Sequence, residues 1–141
     1  MGIFLALRIL YGLALAASCT FAFRHGGRSE RHGAAIILVG SLLTVLVEGL
    51  PAFDWRYSRQ GLVAVDLGVL VAYFVLAQRS NRFWPLWTTA FQLIAVMTHL
   101  VIMVEPRRVL QAYAIAQGFW AYPMLASIVI GSIGSRRLAR S

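Results

Sequence analysis

The sequence predicts an all-α, polytopic membrane helical bundle, with five transmembrane helices in one domain over residues 1–141. Three observations predict it. The chain is 60% hydrophobic and 13% charged, too apolar for a soluble domain of 141 residues. Apolar runs near twenty residues recur, and that length crosses about 30 Å of hydrocarbon at about 1.5 Å per residue. The charged residues cluster in short segments between the runs, where a bilayer accepts them.

The first run covers about residues 2–23. Its segment LALAASC (Leu13–Cys19) has a faint likeness to a lipoprotein cleavage site. Ala16 rather than Leu stands three residues before Cys19, and Arg8 is the early basic residue, so the run reads as a retained helix. The second run covers about 33–53 and the third about 61–78. The third is the shortest, and is expected either to extend or to stand upright. The fourth covers about 84–104 and the fifth about 109–133. Pro123 in the fifth predicts a kink or tilt. Polar links separate them: Arg24–His32 (RHGGRSERH), Asp54–Gln60, Arg79–Arg82 and Glu105–Arg108, with a tail from Arg136. None of these links has room for a soluble site.

The formal net charge is +8, and all thirteen basic residues are Arg. No basic groove interleaved with aromatics is visible, so nucleic acid is not an expected partner. The first link, the third link and the tail carry eight Arg, whereas the second and fourth links carry four. The positive-inside rule then places the N-terminus outside and the C-terminus in the cytoplasm. Basicity carried by Arg alone suggests a GC-rich genome and hence a bacterial inner (plasma) membrane. One cysteine, Cys19, permits neither an internal disulfide nor a CxxC pair, and it reads as a small packing residue.

Trp55, Tyr57, Phe83, Trp84 and Trp87 flank helix ends and read as interfacial anchors. Small residues, among them Gly40, Ser41, Gly61, Gly68, Gly131 and Gly134, permit close helix contact.

The informative residues are ionisable ones inside the runs, because such groups cost about 2.5–3.5 kcal/mol near a helix centre. Glu48, Asp66 and His99 each lie about five residues from the same boundary, roughly 7–8 Å deep, and Arg8 lies roughly 9 Å deep. Four helices thus place an ionisable group in one layer. Helical spacing assigns each helix a polar stripe: Arg8, Tyr11, Ser18; Ser41, Thr44, Glu48; Asp66, Tyr73; Thr88, Gln92, His99; Gln111, Ala114, Gly118. All five stripes are expected to face inward.

The layer has two readings. In one, Arg8 pairs with Asp66 or Glu48 and His99 bonds the remaining acid, a network that fixes register. In the other, Asp66, Glu48 and His99, with Arg8, Gln92 and Tyr73 nearby, form a proton or ligand site. A metal site of Glu48, Asp66 and His99 lacks the helical HxxxH or ExxH spacing. His25 and His32 lie across the bilayer from His99, so no haem ligand pair forms, and the sequence names no cofactor. There is no GxSxG, HExxH, phosphate loop or nucleotide fingerprint, so nothing marks an enzyme. The expected function is that of an accessory or scaffolding subunit of a larger membrane complex. Its partners are the lipid bilayer and either other membrane subunits or copies of itself. The alternative is a small transporter, channel or ligand-binding sensor using Asp66, Glu48 and His99.

Overall fold

The computed structural model describes residues 2–49, 55–104 and 119–141, and these are all-helical. The helices are α1 (Gly2–His25), α2 (Arg28–Gly49), α3 (Trp55–Arg79), α4 (Trp84–Val104) and α5 (Ala121–Arg140). Four of them contain stretches long and apolar enough to cross a membrane: Leu5–His25, Arg28–Gly49, Gln60–Arg79 and Trp84–Val104. α5 is not among these candidates. The first part of the fifth predicted run, including Gln111, Ala114 and Gly118, lies outside the described residues.

Short turns make α1 and α2, and then α3 and α4, antiparallel neighbours. α5 packs against both α1 and α4 and closes the ring, with a lesser contact to α2.

Three boundaries differ from expectation. The Arg24–His32 link shrinks to Gly26 and Gly27, because Arg28 already begins α2. Gly26 suits this turn, since a β-carbon there would lie 2.5 Å from the Ala22 carbonyl oxygen and 2.6 Å from the Glu30 β-carbon. The third run extends to Trp55, as a short run can. The fifth helix runs through the predicted tail to Arg140, and Pro123 stands in the first turn of α5, where no backbone N–H is needed.

The main core cluster lies in one half of the bundle, and Val63 of α3 and Val96 of α4 are buried in the other. Cys19 and Ala22 of α1, Ala34 and Ile37 of α2, Tyr73 of α3, Trp84 of α4, and Met124, Leu125 and Ile128 of α5 are buried together. These positions belong to the half in which α1 and α3 end and α2 and α4 begin, the arginine-rich half. Among the described residues of the other half, Ile3, Leu5, Val45, Leu46, Met97 and Val104 are exposed.

Trp84 shows why the core sits there. The sequence places it with the interfacial anchors, yet it is 6% exposed, while Phe83 and Trp87 on either side are exposed. Its indole lies between Gly33 and Gly131, and a β-carbon on either glycine would collide with the ring. Small residues thus serve close contact here, and again at Gly40, where a β-carbon would stand 2.6 Å from Val69 Cγ2. Gly68 and Gly134 face open space instead.

A methyl group at Gly33 must displace the indole, and overpacking of that kind costs about 1–3 kcal/mol. Gly33→Ala is therefore expected to lower resistance to denaturation in mild detergent by that amount. Gly134→Ala, made in open space, should not lower it. Equal loss in the two variants would refute the wedge.

Candidate functional site

Hydroxyl groups on the helices are largely satisfied within their own helix. Thr20, Thr44, Thr88, Thr89, Thr98, Ser127 and Ser132 each donate to the carbonyl four residues earlier. Such back-bonds are how an apolar helix carries Ser and Thr without a partner. The groups that do reach across helices are therefore informative, and most of them fall into two sets.

The first set holds the four residues expected in one layer, but as two pairs at different heights. Gly61 of α3 faces Val47 and Val69 faces Gly40 of α2, so Glu48 lies about five residues, roughly 8 Å, from the level of Asp66. His99 Nε2 of α4 lies 2.8 Å from Asp66 Oδ2 of α3. Gln92 Nε2, two turns before His99 on α4, donates to Asp66 Oδ1 at 3.1 Å and to the Asp66 carbonyl at 3.2 Å. One carboxylate thus holds two residues of α4. The side chains of Asp66 and His99 are 23% and 13% exposed. The second pair joins α1 and α2, with Arg8 Nη2 donating to Glu48 Oε2 at 3.0 Å. This pair faces away from the bundle, with side chains 73% and 38% exposed.

Two further expectations are corrected here. Not every polar stripe faces inward: Tyr11 does, bonding Ser41 Oγ at 3.0 Å, but Arg8 points outward. The end of α1 is apolar on all sides, with Ile3, Leu5, Ile9 and Leu10 exposed, so nothing there turns Arg8 toward the axis. Tyr73 joins neither pair. It shares a stripe with Asp66 but lies seven residues further along, about 10 Å at helical rise. Fully buried, it donates to the Gly33 carbonyl at 2.8 Å and ties α3 to α2 in the arginine-rich half.

The second cluster was not expected from sequence. Glu30, in the first turn of α2, is 1% exposed. Trp84 Nε1 donates to its Oε1 at 3.0 Å, and Arg82 Nε stands 4.0 Å from the same oxygen. Arg82 Nη2 also donates to Ser135 Oγ of α5 at 2.9 Å. Ser80 Oγ, in the α3–α4 turn, donates to Ser29 Oγ at 2.9 Å. A buried carboxylate without partners is prohibitively costly, so these contacts explain why Glu30 can turn inward. Beside the cluster His25 ends α1, stacked on Phe21 with ring centres 4.9 Å apart. The one available signal in the sequence was a lone acid amid five basic and histidine residues, and it carries no information about which aromatic or serine it meets.

Chemically, the Asp66–His99–Gln92 group can hold and pass a proton or bond a small polar ligand. An open apolar groove of about 550 Å³ lies between α2 and α3, lined by Val39, Gly40, Ala64, Gly68 and Ala72 among others, and Asp66 is not in its lining. Among the described residues, no group of three or more His, Cys, Asp or Glu side chains could hold a metal ion.

Trp84→Phe removes the indole donor from a buried carboxylate, a loss of about 1–3 kcal/mol. Phe83→Leu, on an exposed neighbour, should stay within about 0.5 kcal/mol. Detergent-based unfolding of the two variants measures the difference, and a Trp84→Phe protein as stable as the parent would remove Glu30–Trp84 from its anchoring role.

No protein-family model, no curated protein and no solved structure matches the chain.

Proposed function

We propose that this chain is a small multi-pass accessory or scaffolding subunit of a larger membrane complex. The observation that carries this reading is the outward-facing Arg8–Glu48 pair, with Arg8 about 9 Å along α1 from Gly2. Facing hydrocarbon, an ion pair keeps most of its desolvation cost. A neighbouring helix laid over α1 and α2 removes the pair from lipid and supplies further hydrogen bonds. The exposed Ile3, Leu5, Val45 and Leu46 around the pair offer apolar surface for that contact. The partners in this reading are other membrane subunits, and self-association alone is the outcome that counts against it. The arginine count orients the subunit with its N-terminus outside and its C-terminus in the cytoplasm, in a bacterial inner membrane.

Purification in mild detergent tests this. The chain is expected to copurify with other membrane subunits in near-stoichiometric amounts, and Arg8→Ala should release them. A chain that always runs as an isolated monomer or small homo-oligomer would falsify the accessory role.

A second reading is favoured by one observation, the 2.8 Å Asp66–His99 pair whose members retain 23% and 13% exposure. As part of a small transporter, channel or ligand sensor, Asp66, His99 and Glu48 would carry the proton or ligand. Asp66→Asn should then abolish uptake or binding while the protein stays folded, and full activity in that variant counts decisively against this reading.

A further inference from the structure

The arginines and acids of this chain are divided unequally between the two ends of the bundle. Eight of the thirteen arginines belong to the turns and tail of one end, and one of the five acids, Glu30. The hydrogen bonds Ser80–Ser29, Trp84–Glu30 and Arg82–Ser135 bring the α1–α2 turn, the α3–α4 turn and the last turns of α5 together at that end. Glu30 is turned into the protein, and its charge is engaged by Trp84 and Arg82. Its neighbours Arg28 and Arg31 are exposed, as are Arg24, Arg79, Arg137 and Arg140. The fold thus buries the one acid of this end and leaves a ring of guanidinium groups outside.

The ring lies at a definable height. Phe83 is 71% exposed in the α3–α4 turn, and Trp87 is 55% exposed one turn into α4. Exposed aromatics at the end of a membrane helix settle at the headgroup level. On α5, Ile130, Ile133 and Leu138 are exposed alongside Arg137, so the last turns of that helix present both apolar and cationic groups. Guanidinium matches phosphate in a bidentate geometry that an ammonium does not offer. We infer that this arginine ring is a binding surface for the headgroups of anionic phospholipids in the adjoining leaflet. Basic groups at that level each raise attraction to an anionic leaflet by about fivefold. Nucleic acid fits less well, because no aromatic platform is interleaved with the arginines.

The purified full chain, titrated with phosphatidylglycerol or phosphatidylcholine in mixed detergent micelles, tests the inference through its thermal transition and by native mass spectrometry. Phosphatidylglycerol is expected to be retained at least tenfold more strongly and to raise the transition temperature. Two variants guard against misfolding: Arg137→Gln with Arg140→Gln, on the last exposed turn of α5, and Arg28→Gln with Arg31→Gln, on the exposed side of α2. Each pair should lower phosphatidylglycerol retention about tenfold or more, and leave phosphatidylcholine retention unchanged. Equal retention of the two lipids, or undiminished phosphatidylglycerol retention in both variants, overturns the proposal. Inorganic phosphate serves as the third arm, and displacement of the lipid by millimolar phosphate would assign the site to a free anion instead. None of these outcomes depends on whether other subunits copurify.

Discussion

A carboxylate inside an apolar bundle must be met by donors, and at Glu30 that requirement organises one whole end of the molecule. Its partner donors come from the α3–α4 turn and the start of α4, through Arg82 and Trp84. To reach Glu30 the Trp84 indole must pass between α2 and α5, which is possible only because Gly33 and Gly131 carry no side chain. Arg82 in turn fixes α5 through Ser135. Gly26 lets α1 turn tightly enough to aim the first turn of α2 inward. The core residues Ala22, Ala34, Tyr73 and Ile128 then pack in the half that these contacts have already assembled.

Further along the bundle, cross-helix bonds among the described residues tie the helices in pairs. Tyr73 joins α3 to α2, Tyr11 joins α1 to α2, and Asp66 joins α3 to α4 through Gln92 and His99. Each fixes the axial register of one pair, because a slip of one residue moves a donor by about 1.5 Å and turns it by about 100°. Between these points the hydroxyl groups bond their own helices and make no demand on neighbours. Register is therefore specified at a few levels, and van der Waals packing fills the intervals.

Four of the helices could be read from the sequence as spans, because runs of about twenty apolar residues leave the backbone little alternative in a bilayer. α5, by contrast, runs from Ala121 through the predicted tail to Arg140 and is not a candidate span. The start of α2 could not be read either. RSERH has the composition of a solvated link, and its helical state depends on a partner 54 positions away at Trp84. Trp84 and Trp87 look alike in sequence, and only the glycines opposite Trp84 distinguish a wedge from an anchor. Counting residues from the expected helix ends brought Arg8, Glu48, Asp66 and His99 to one level. However, α3 begins at Trp55, well before the predicted start of that run, so Asp66 sits deeper than Glu48 and the four residues form two separate pairs. Depth along a helix follows from spacing only where the helix ends are known. Facing does not follow where the surrounding residues are apolar on every side, as around Arg8. Tyr73 shows the converse limit, since sharing a stripe with Asp66 says nothing of being near it.

The unequal packing of the two halves has a physical consequence for the site. Local stability follows the density of buried apolar contact and of satisfied hydrogen bonds. Among the described residues the Glu30 end has both, while at the opposite end α1 and α2 are joined by the Arg8–Glu48 and Tyr11–Ser41 contacts. Asp66 and His99 stand between these regimes, partly exposed yet anchored to one another and to Gln92. The Asp66–His99–Gln92 group thus keeps its geometry through contacts between α3 and α4, independently of the Glu30 end, because each of these bonds is made by a side chain to a partner on the neighbouring helix.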